Sequence, residues 1–128
     1  MSANLNALAL LRQIPMFQSL SQEQLQAVAA QCQPLHFQPG SLVFAQGQAK
    51  QGAMIFASGR GVLTQTDASG GETVIGQIRA GQMAGESGLY GDGVEPANLR
   101  VVEPAEVLFL SRKRYNQLAA QLPEFRSS

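Results

Sequence analysis

The chain has 128 residues, a length typical of one domain, and its 45% hydrophobic and 14% charged residues are the composition of a globular protein. Nine basic and nine acidic residues give a formal net charge of zero, which excludes the basic field of a protein that binds nucleic acid or anionic membranes through phosphates. The first residues lack the pattern of a signal peptide, and no stretch approaches the roughly 20 apolar residues of a membrane span. Cys32 is the only cysteine. We therefore expect a cytoplasmic chain without disulfides.

The first quarter of the chain has helical spacing. Leucines between Leu5 and Leu11 predict a first helix that ends before Pro15. Ser21, with Gln24 three residues later, predicts a capping box that begins a second helix. The apolar stripe of that helix is Leu25, Val28, Ala29 and Cys32. We interpret Cys32 as a core residue, since a reactive thiol would need a cationic neighbour.

All 13 glycines lie between Gly40 and Gly93, and the apolar period there changes to two, which predicts strands and turns. The predicted strands are residues 35–37, 42–44, 54–56, 62–64, 73–78, 99–102 and 107–110. The predicted turns are residues 58–61, 67–71, 79–81 and 103–105. Ser111 is the predicted N-cap of a last helix.

These elements predict a mainly β fold with flanking helices, of the β-roll or jelly-roll type. We expect residues 1–128 to form one domain, with helices within about 5–33, the β-roll at about 35–111 and a helix at about 112–122.

The chemistry of a jelly-roll metalloenzyme is absent from the sequence. Such a site needs two or three histidines, and His36 is the single histidine of the chain. Hydrolytic triads would need the same histidine, and neither a GxSxG elbow nor a GxxxxGK phosphate loop occurs. We expect no metal, no catalytic residues and no enzymatic activity.

Residues 81–90, GQMAGESGLY, combine glycines with a short helical turn. The free N–H groups at the start of such a turn can bind an anion, and Glu86 beside them can accept a hydrogen bond from a sugar hydroxyl. The alternative is structural: Gly81 and Gly85 serve tight turns, and Glu86 caps one of them. The residues alone leave both interpretations open.

Four segments in register carry a resemblance to a known family. They are residues 14–20 (IPMFQSL), 37–47 (FQPGSLVFAQG), 55–62 (IFASGRGV) and 81–89 (GQMAGESGL). The chain resembles the cyclic nucleotide-binding domain of the catabolite activator (Crp/Fnr) regulators, kinase regulatory subunits and gated channels. The resemblance, from about Leu8 to Pro123, implies cyclic AMP or cyclic GMP as ligand and no required cofactor. It makes residues 81–89 the phosphate-binding cassette.

The resemblance also implies which residues bind the ligand. They are Gly85, Glu86, Ser87, Gly88, Glu95, Ala97 and Asn98. In the family an arginine after the cassette pairs with the cyclic phosphate, but here either Glu95 or Ala97 takes its place, depending on the register. Arg100 has the opposite strand parity and should point away. Loss of a bidentate contact of about 1.5–3 kcal/mol lowers affinity by roughly 10- to 100-fold.

Ala84 and Gly88 also depart from the family, which prefers phenylalanine and alanine there, and we expect weaker apolar support under the cassette. We therefore predict a regulatory sensor domain with weak or lost cyclic nucleotide affinity, as the N-terminal part of a Crp/Fnr-type regulator or of another signalling protein. One alternative is a ligand-free interaction or dimerisation module on the same fold. Another is a pocket for a different, less anionic ligand. We expect a homodimer or an attached output domain as partner, without direct nucleic-acid binding or membrane insertion by this chain.

Overall fold

The structure is a computed structural model that describes residues 2–122, with side chains described from residue 7 onward. Its helices are α1 (Ser2–Arg12), α2 (Gln22–Gln31) and α3 (Arg112–Gln121). Its strands are β1 (Gln33–Phe37), β2 (Leu42–Phe44), β3 (Gly52–Thr66), β4 (Glu72–Arg79), β5 (Met83–Ala84) and β6 (Asn98–Ser111). Short 3-10 helices form at Pro15–Phe17 and Glu86–Leu89. The predicted β fold with flanking helices is confirmed, and residues 123–128 of the predicted domain lie outside the described residues.

The described strands form one antiparallel sheet in the order β1-β6-β3-β4. β2 adds to β6, and β5 adds to β3. The central ladder joins β3 to β6, from the pair Gly52–Ser111 at one end to the pair Thr64–Asn98 at the other. β4 lies at one edge of the sheet and pairs with β3 through the hairpin loop of residues 67–71, as predicted.

Two predicted turns are wrong. β3 runs without interruption through residues 58–61, and β6 runs through residues 103–105. The turn-forming residues produce bulges instead, because the register of the β3–β6 ladder shifts around Ser58 and Arg60. Gly59 has φ 82°, and a Cβ atom there would lie 2.3 Å from the Pro104 carbonyl oxygen. Glycine is therefore needed for the close approach of the two strands.

The predicted helix caps are confirmed. The Ser21 hydroxyl accepts a hydrogen bond from the Gln24 amide at 3.1 Å, and the Gln24 side chain accepts one from the Ser21 amide at 2.7 Å. At the start of α3 the Ser111 hydroxyl accepts a hydrogen bond from the Arg114 amide at 3.2 Å. Cys32 follows α2 as its C-cap, half-buried against the core, and burial raises the pKa of its thiol to about 12. The thiol is therefore protonated at neutral pH and unreactive.

The buried apolar residues form two clusters. The first joins the helices to one end of the sheet, and its fully buried members include Leu11, Phe17, Leu25, Ile55, Leu89, Leu110 and Leu118. The second lies inside the roll and consists of Phe44, Phe56, Ile78, Ala84, Leu99, Val101, Ala105 and Val107. Leu89 belongs to the first cluster and Ala84 to the second, so residues 84–89 connect the two cores.

Candidate functional site

A cavity of about 370 Å³ lies between the end of β2, the strands β4 and β5, and the segment before β6. We call it the cassette cavity, and it is lined by Phe44, Leu63, Ile75, Ile78, Met83, Ala84, Gly85, Glu86, Ser87, Glu95, Pro96 and Ala97. Most of these residues are apolar. The volume falls in the range of about 300–1,000 Å³ that is typical of small-molecule sites.

One wall of the cavity is the turn between β5 and Leu89. β5 is held against β3 by the pairs Met54–Ala84 and Ile55–Met83. Gly85 then adopts φ 75°, a left-handed conformation that favours glycine, and reverses the chain into the 3-10 helix Glu86–Leu89. The first N–H groups of such a helix have no acceptor within it, so they are available to a ligand.

Gly88 supports this turn from behind. It is buried and does not line the cavity, although the sequence placed it in the binding site. A Cβ atom at Gly88 would lie 2.9 Å from the Gly52 carbonyl oxygen and 3.1 Å from the Gly52 nitrogen. The expectation of weaker apolar support at this position is therefore corrected: the glycine is the residue that fits against the backbone of β3.

Glu86 links the cavity to the last helix. Its carboxylate accepts a hydrogen bond from the Tyr90 hydroxyl at 3.3 Å. The Tyr90 ring meets the Tyr115 ring of α3 edge to face, with 5.6 Å between the centroids and 84° between the planes. Burial and the nearby Glu86 charge raise the pKa of Tyr90 to about 12, so the hydroxyl keeps its proton and donates.

Ser87, the next residue of the turn, also lines the cavity, and its hydroxyl accepts a hydrogen bond from Lys50 Nζ at 2.7 Å. Lys50 does not line the cassette cavity. It belongs to a separate surface groove against α3, together with Arg112 and Lys113. Lys50 could not be predicted from the sequence, because no local motif indicates that the β2–β3 loop returns to the cassette.

Glu95 is 4% exposed and lines the cavity. Its Oε2 atom would be 3.9 Å from a Cβ atom at Gly85, so the carboxylate lies beside the cassette turn. Burial raises the pKa of Glu95, and the charge of Lys50 acts in the opposite direction more weakly. The backbone of Glu95 is fixed by two hydrogen bonds with the β2–β3 loop, at Gly47 and Gln48.

The structure brings Ala97 into the cavity with Glu95, and Pro96 between them lines it too. Pro96 can offer a ligand neither a charge nor an N–H. Arg100 points away, as the strand alternation predicted: it donates to the Gly40 carbonyl at 3.3 Å and lies 3.4 Å from the Glu72 carboxylate. Among the described residues, no lysine or arginine lines the cavity.

Asn98, which the resemblance also implies as a ligand-binding residue, does not line the cavity. Its side chain is buried on the other face of β6, where Nδ2 donates to the hydroxyls of Thr64 and Thr66 at 3.2 and 3.0 Å. Its Oδ1 accepts a hydrogen bond from the backbone amide of Gln46 at 2.9 Å. Asn98 is therefore a structural residue that joins β3, β6 and the β2–β3 loop.

Within residues 2–122, no group of three or more histidine, cysteine, aspartate or glutamate side chains is placed to hold a metal ion. No helix in this part of the chain is long and apolar enough to cross a membrane. His36 lies away from the cavity, exposed on β1, with Nε2 3.2 Å from the Glu106 carboxylate.

The chain is similar to known proteins in sequence and in fold. The chain is 30% identical over 109 residues to the Cyclic AMP receptor protein of Thermus thermophilus. The aligned residues cover 85% of this chain and 50% of that protein. The chain thus spans about half the length of this relative. The crystal structure of Thermus thermophilus Catabolite Activator Protein has a TM-score of 0.80 at 29% identity, over 88% of this chain and 53% of that one.

The N-terminal domain of a transcriptional regulator from Streptomyces coelicolor has a TM-score of 0.86 at 21% identity, over 92% of this chain and 84% of that one. The family model described as Cyclic nucleotide-binding domain matches residues 34–122, more than half of the chain. The resemblance inferred from the four sequence segments is therefore confirmed, and the chain belongs to the family of cyclic nucleotide-binding domains.

Proposed function

We propose that this domain is a regulatory ligand sensor whose affinity for cyclic AMP and cyclic GMP is weak or lost. One observation carries the proposal: two acidic residues, Glu86 and Glu95, line the cassette cavity, and no described lysine or arginine lines it. A cyclic nucleotide carries a phosphate anion, which needs a cation or several N–H donors once it leaves water. The turn of residues 85–89 supplies N–H donors alone.

The missing cation sets the size of the effect. A charge-assisted hydrogen bond contributes about 1.5–3 kcal/mol, so its loss lowers affinity by roughly 10- to 100-fold relative to an intact cassette. The Glu95 carboxylate adds repulsion, because it lies beside the turn that would hold the phosphate. Lys50 reduces that repulsion without lining the cavity.

We propose that the signal leaves the cavity through Glu86, Tyr90 and Tyr115. A ligand hydroxyl that binds Glu86 competes with the Tyr90 hydroxyl for the same carboxylate. The Tyr90 ring can then shift against Tyr115, which biases the packing of α3 and of whatever segment follows it. A Crp/Fnr-type regulator or another signalling protein would use this movement as its output. The proposed role is non-catalytic.

A second candidate is an interaction module on the same fold that binds no small ligand. The observation in its favour is an apolar edge: Val74 and Ile75 of β4 are 64% and 52% exposed. Against a role for α3, its apolar residues Tyr115, Leu118 and Ala119 are buried in the domain. Self-association on a sizing column that disappears in Val74→Lys would favour this candidate.

The test of the sensor is isothermal titration with cyclic AMP and cyclic GMP. Wild type is compared with Glu95→Arg and Ala97→Arg, which restore a cation at the two positions that line the cavity. Glu23→Arg is the control, because it changes the net charge like Glu95→Arg at an exposed site on α2. We expect a gain of at least tenfold in one of the cavity variants and none in the control. Tight binding by wild type would refute the weak-affinity proposal.

A further inference from the structure

We propose that the cassette cavity selects a ligand that presents an ammonium or another hydrogen-bond donor to Glu95, at the place where a cyclic nucleotide presents its phosphate. This inference rests on the proposed function, since it takes the cavity to be the ligand site. The ligand class follows from three observations: the Glu95 carboxylate has no hydrogen-bond donor in the described chain, Lys50 lies outside the cavity, and most of the other lining residues are apolar.

The Glu95 carboxylate has no hydrogen bond from any part of the chain that the structure describes, although the residue is 96% buried. Each described side-chain polar atom that is sealed from solvent has a hydrogen-bond partner. The carboxylate oxygens of Glu95 are therefore not sealed, and the cavity is where this residue meets solvent. A buried acceptor without a protein donor is costly unless water or a ligand supplies one.

Lys50 does not fill this role. Its ammonium donates to Ser87 Oγ at 2.7 Å, and its side chain lies in the groove against α3. Its charge offsets part of the Glu95 charge, but Lys50 is not among the residues that line the cavity. Two carboxylates and one lysine outside the cavity leave a net negative site, which attracts a cation and repels an anion.

The other walls suit a ligand with an apolar body and donor groups. Phe44, Ile78 and Met83 provide an apolar surface, and Glu86 provides a second carboxylate for hydroxyl donors. A nucleoside without phosphate fits this description, because it combines a flat base with a hydroxylated sugar. A positive group in place of the phosphate would complete the match to Glu95.

The experiment uses three matched probes in isothermal titration against the full chain. They are cyclic AMP, adenosine, and the adenosine analogue whose ribose hydroxymethyl group is replaced by an aminomethyl group. The three share a base and carry a negative, a neutral and a positive charge. We expect the amine to bind most tightly, at least tenfold more tightly than cyclic AMP, with adenosine between them. Raising the salt concentration should reduce the differences in affinity among the three probes.

Glu95→Gln keeps the shape of the side chain and removes its charge. In this variant the amine should lose its advantage over adenosine, while the control Glu23→Gln keeps the wild-type order. A thermal melt of both variants checks that they fold.

The outcomes separate this inference from the proposed function. Cyclic AMP binding as tightly as the amine, or an unchanged order in Glu95→Gln, overturns the inference. If no probe binds wild type while Glu95→Arg or Ala97→Arg binds cyclic AMP, the cavity is a working site and the inference alone fails. If no probe binds any variant, both fail.

Discussion

The contact between the cassette and the start of β3 makes a stability prediction at Gly88. In Gly88→Ala the new Cβ atom would lie 2.9 Å from the Gly52 carbonyl oxygen and 3.1 Å from its nitrogen. Ordinary contacts of carbon atoms begin near about 3.5 Å, so one of the two segments must move. Gly52 is paired with Ser111 in the β3–β6 ladder, so a movement of its backbone disturbs that pair.

We expect this overpacking to lower the free energy of unfolding by about 1–3 kcal/mol. Gly88 does not have a positive φ, so alanine is compatible with its backbone and the cost comes from the contact. The substitution also reduces the entropy of the unfolded chain, a gain of about 0.4–1 kcal/mol that the overpacking exceeds. Tm should fall by about 4 °C per kcal/mol of net loss. Urea unfolding followed by circular dichroism measures the change.

Gly91→Ala is the matched control, three residues away in the same segment. No atom lies within 4 Å of a Cβ atom at Gly91, and its φ is not positive. We expect this variant to be as stable as wild type or up to about 1 kcal/mol more stable. Equal stability of Gly88→Ala and wild type would refute the reasoning, since the cassette would then not be fixed against Gly52.

Three further predictions concern the interior. Burial raises the pKa of Glu95, so the folded state binds a proton at this carboxylate more tightly than the unfolded state does. The ionised carboxylate therefore lowers the free energy of unfolding as the pH rises above the ordinary glutamate pKa of about 4.3. Glu95→Gln should therefore be more stable than wild type at pH 7, with a difference that shrinks towards pH 4 in urea titrations; a constant difference would contradict this. Asn98→Ala should lower the free energy of unfolding by about 2–3 kcal/mol, since it removes three hydrogen bonds, one of which is donated to the Thr64 hydroxyl. A decrease under about 0.5 kcal/mol in urea unfolding would contradict this prediction. Cys32, with its pKa raised to about 12, should react with a maleimide far more slowly in the folded protein than in urea, and equal rates would mean that the thiol is accessible.

The parts of the fold that depend on neighbouring residues could be predicted from the sequence. The capping box at Ser21 and the loop of residues 67–71 are local, and in that loop Asp67 Oδ1 accepts hydrogen bonds from the amides of Ser69 and Gly71. The continuity of β3 and β6 could not be predicted, because it depends on the approach of Gly59 to Pro104 across the sheet. In the sequence, glycine and proline at these positions predict turns.

The same distinction applies to the site. The motif of residues 81–89 predicts Gly85 and Glu86 at the site, the two registers of the family resemblance bring Glu95 and Ala97 there, and strand alternation predicts that Arg100 lies outside it. Asn98 has the strand parity of Arg100, and like Arg100 it does not line the cavity. Lys50 needed the structure, since it lies far from Ser87 in sequence.

The ladder between β3 and β6 has a consequence for how the protein reaches its folded state. It pairs Gly52 with Ser111 and Thr64 with Asn98, so the middle of the sheet is closed by residues that are remote in the chain. Such closure loses chain entropy before contacts compensate for it, and sheets of this kind fold in milliseconds to seconds. β5 pairs with β3, and Gly88 rests on Gly52, which itself pairs with β6. The cassette turn can therefore reach its final packing only after β3 and β6 have paired.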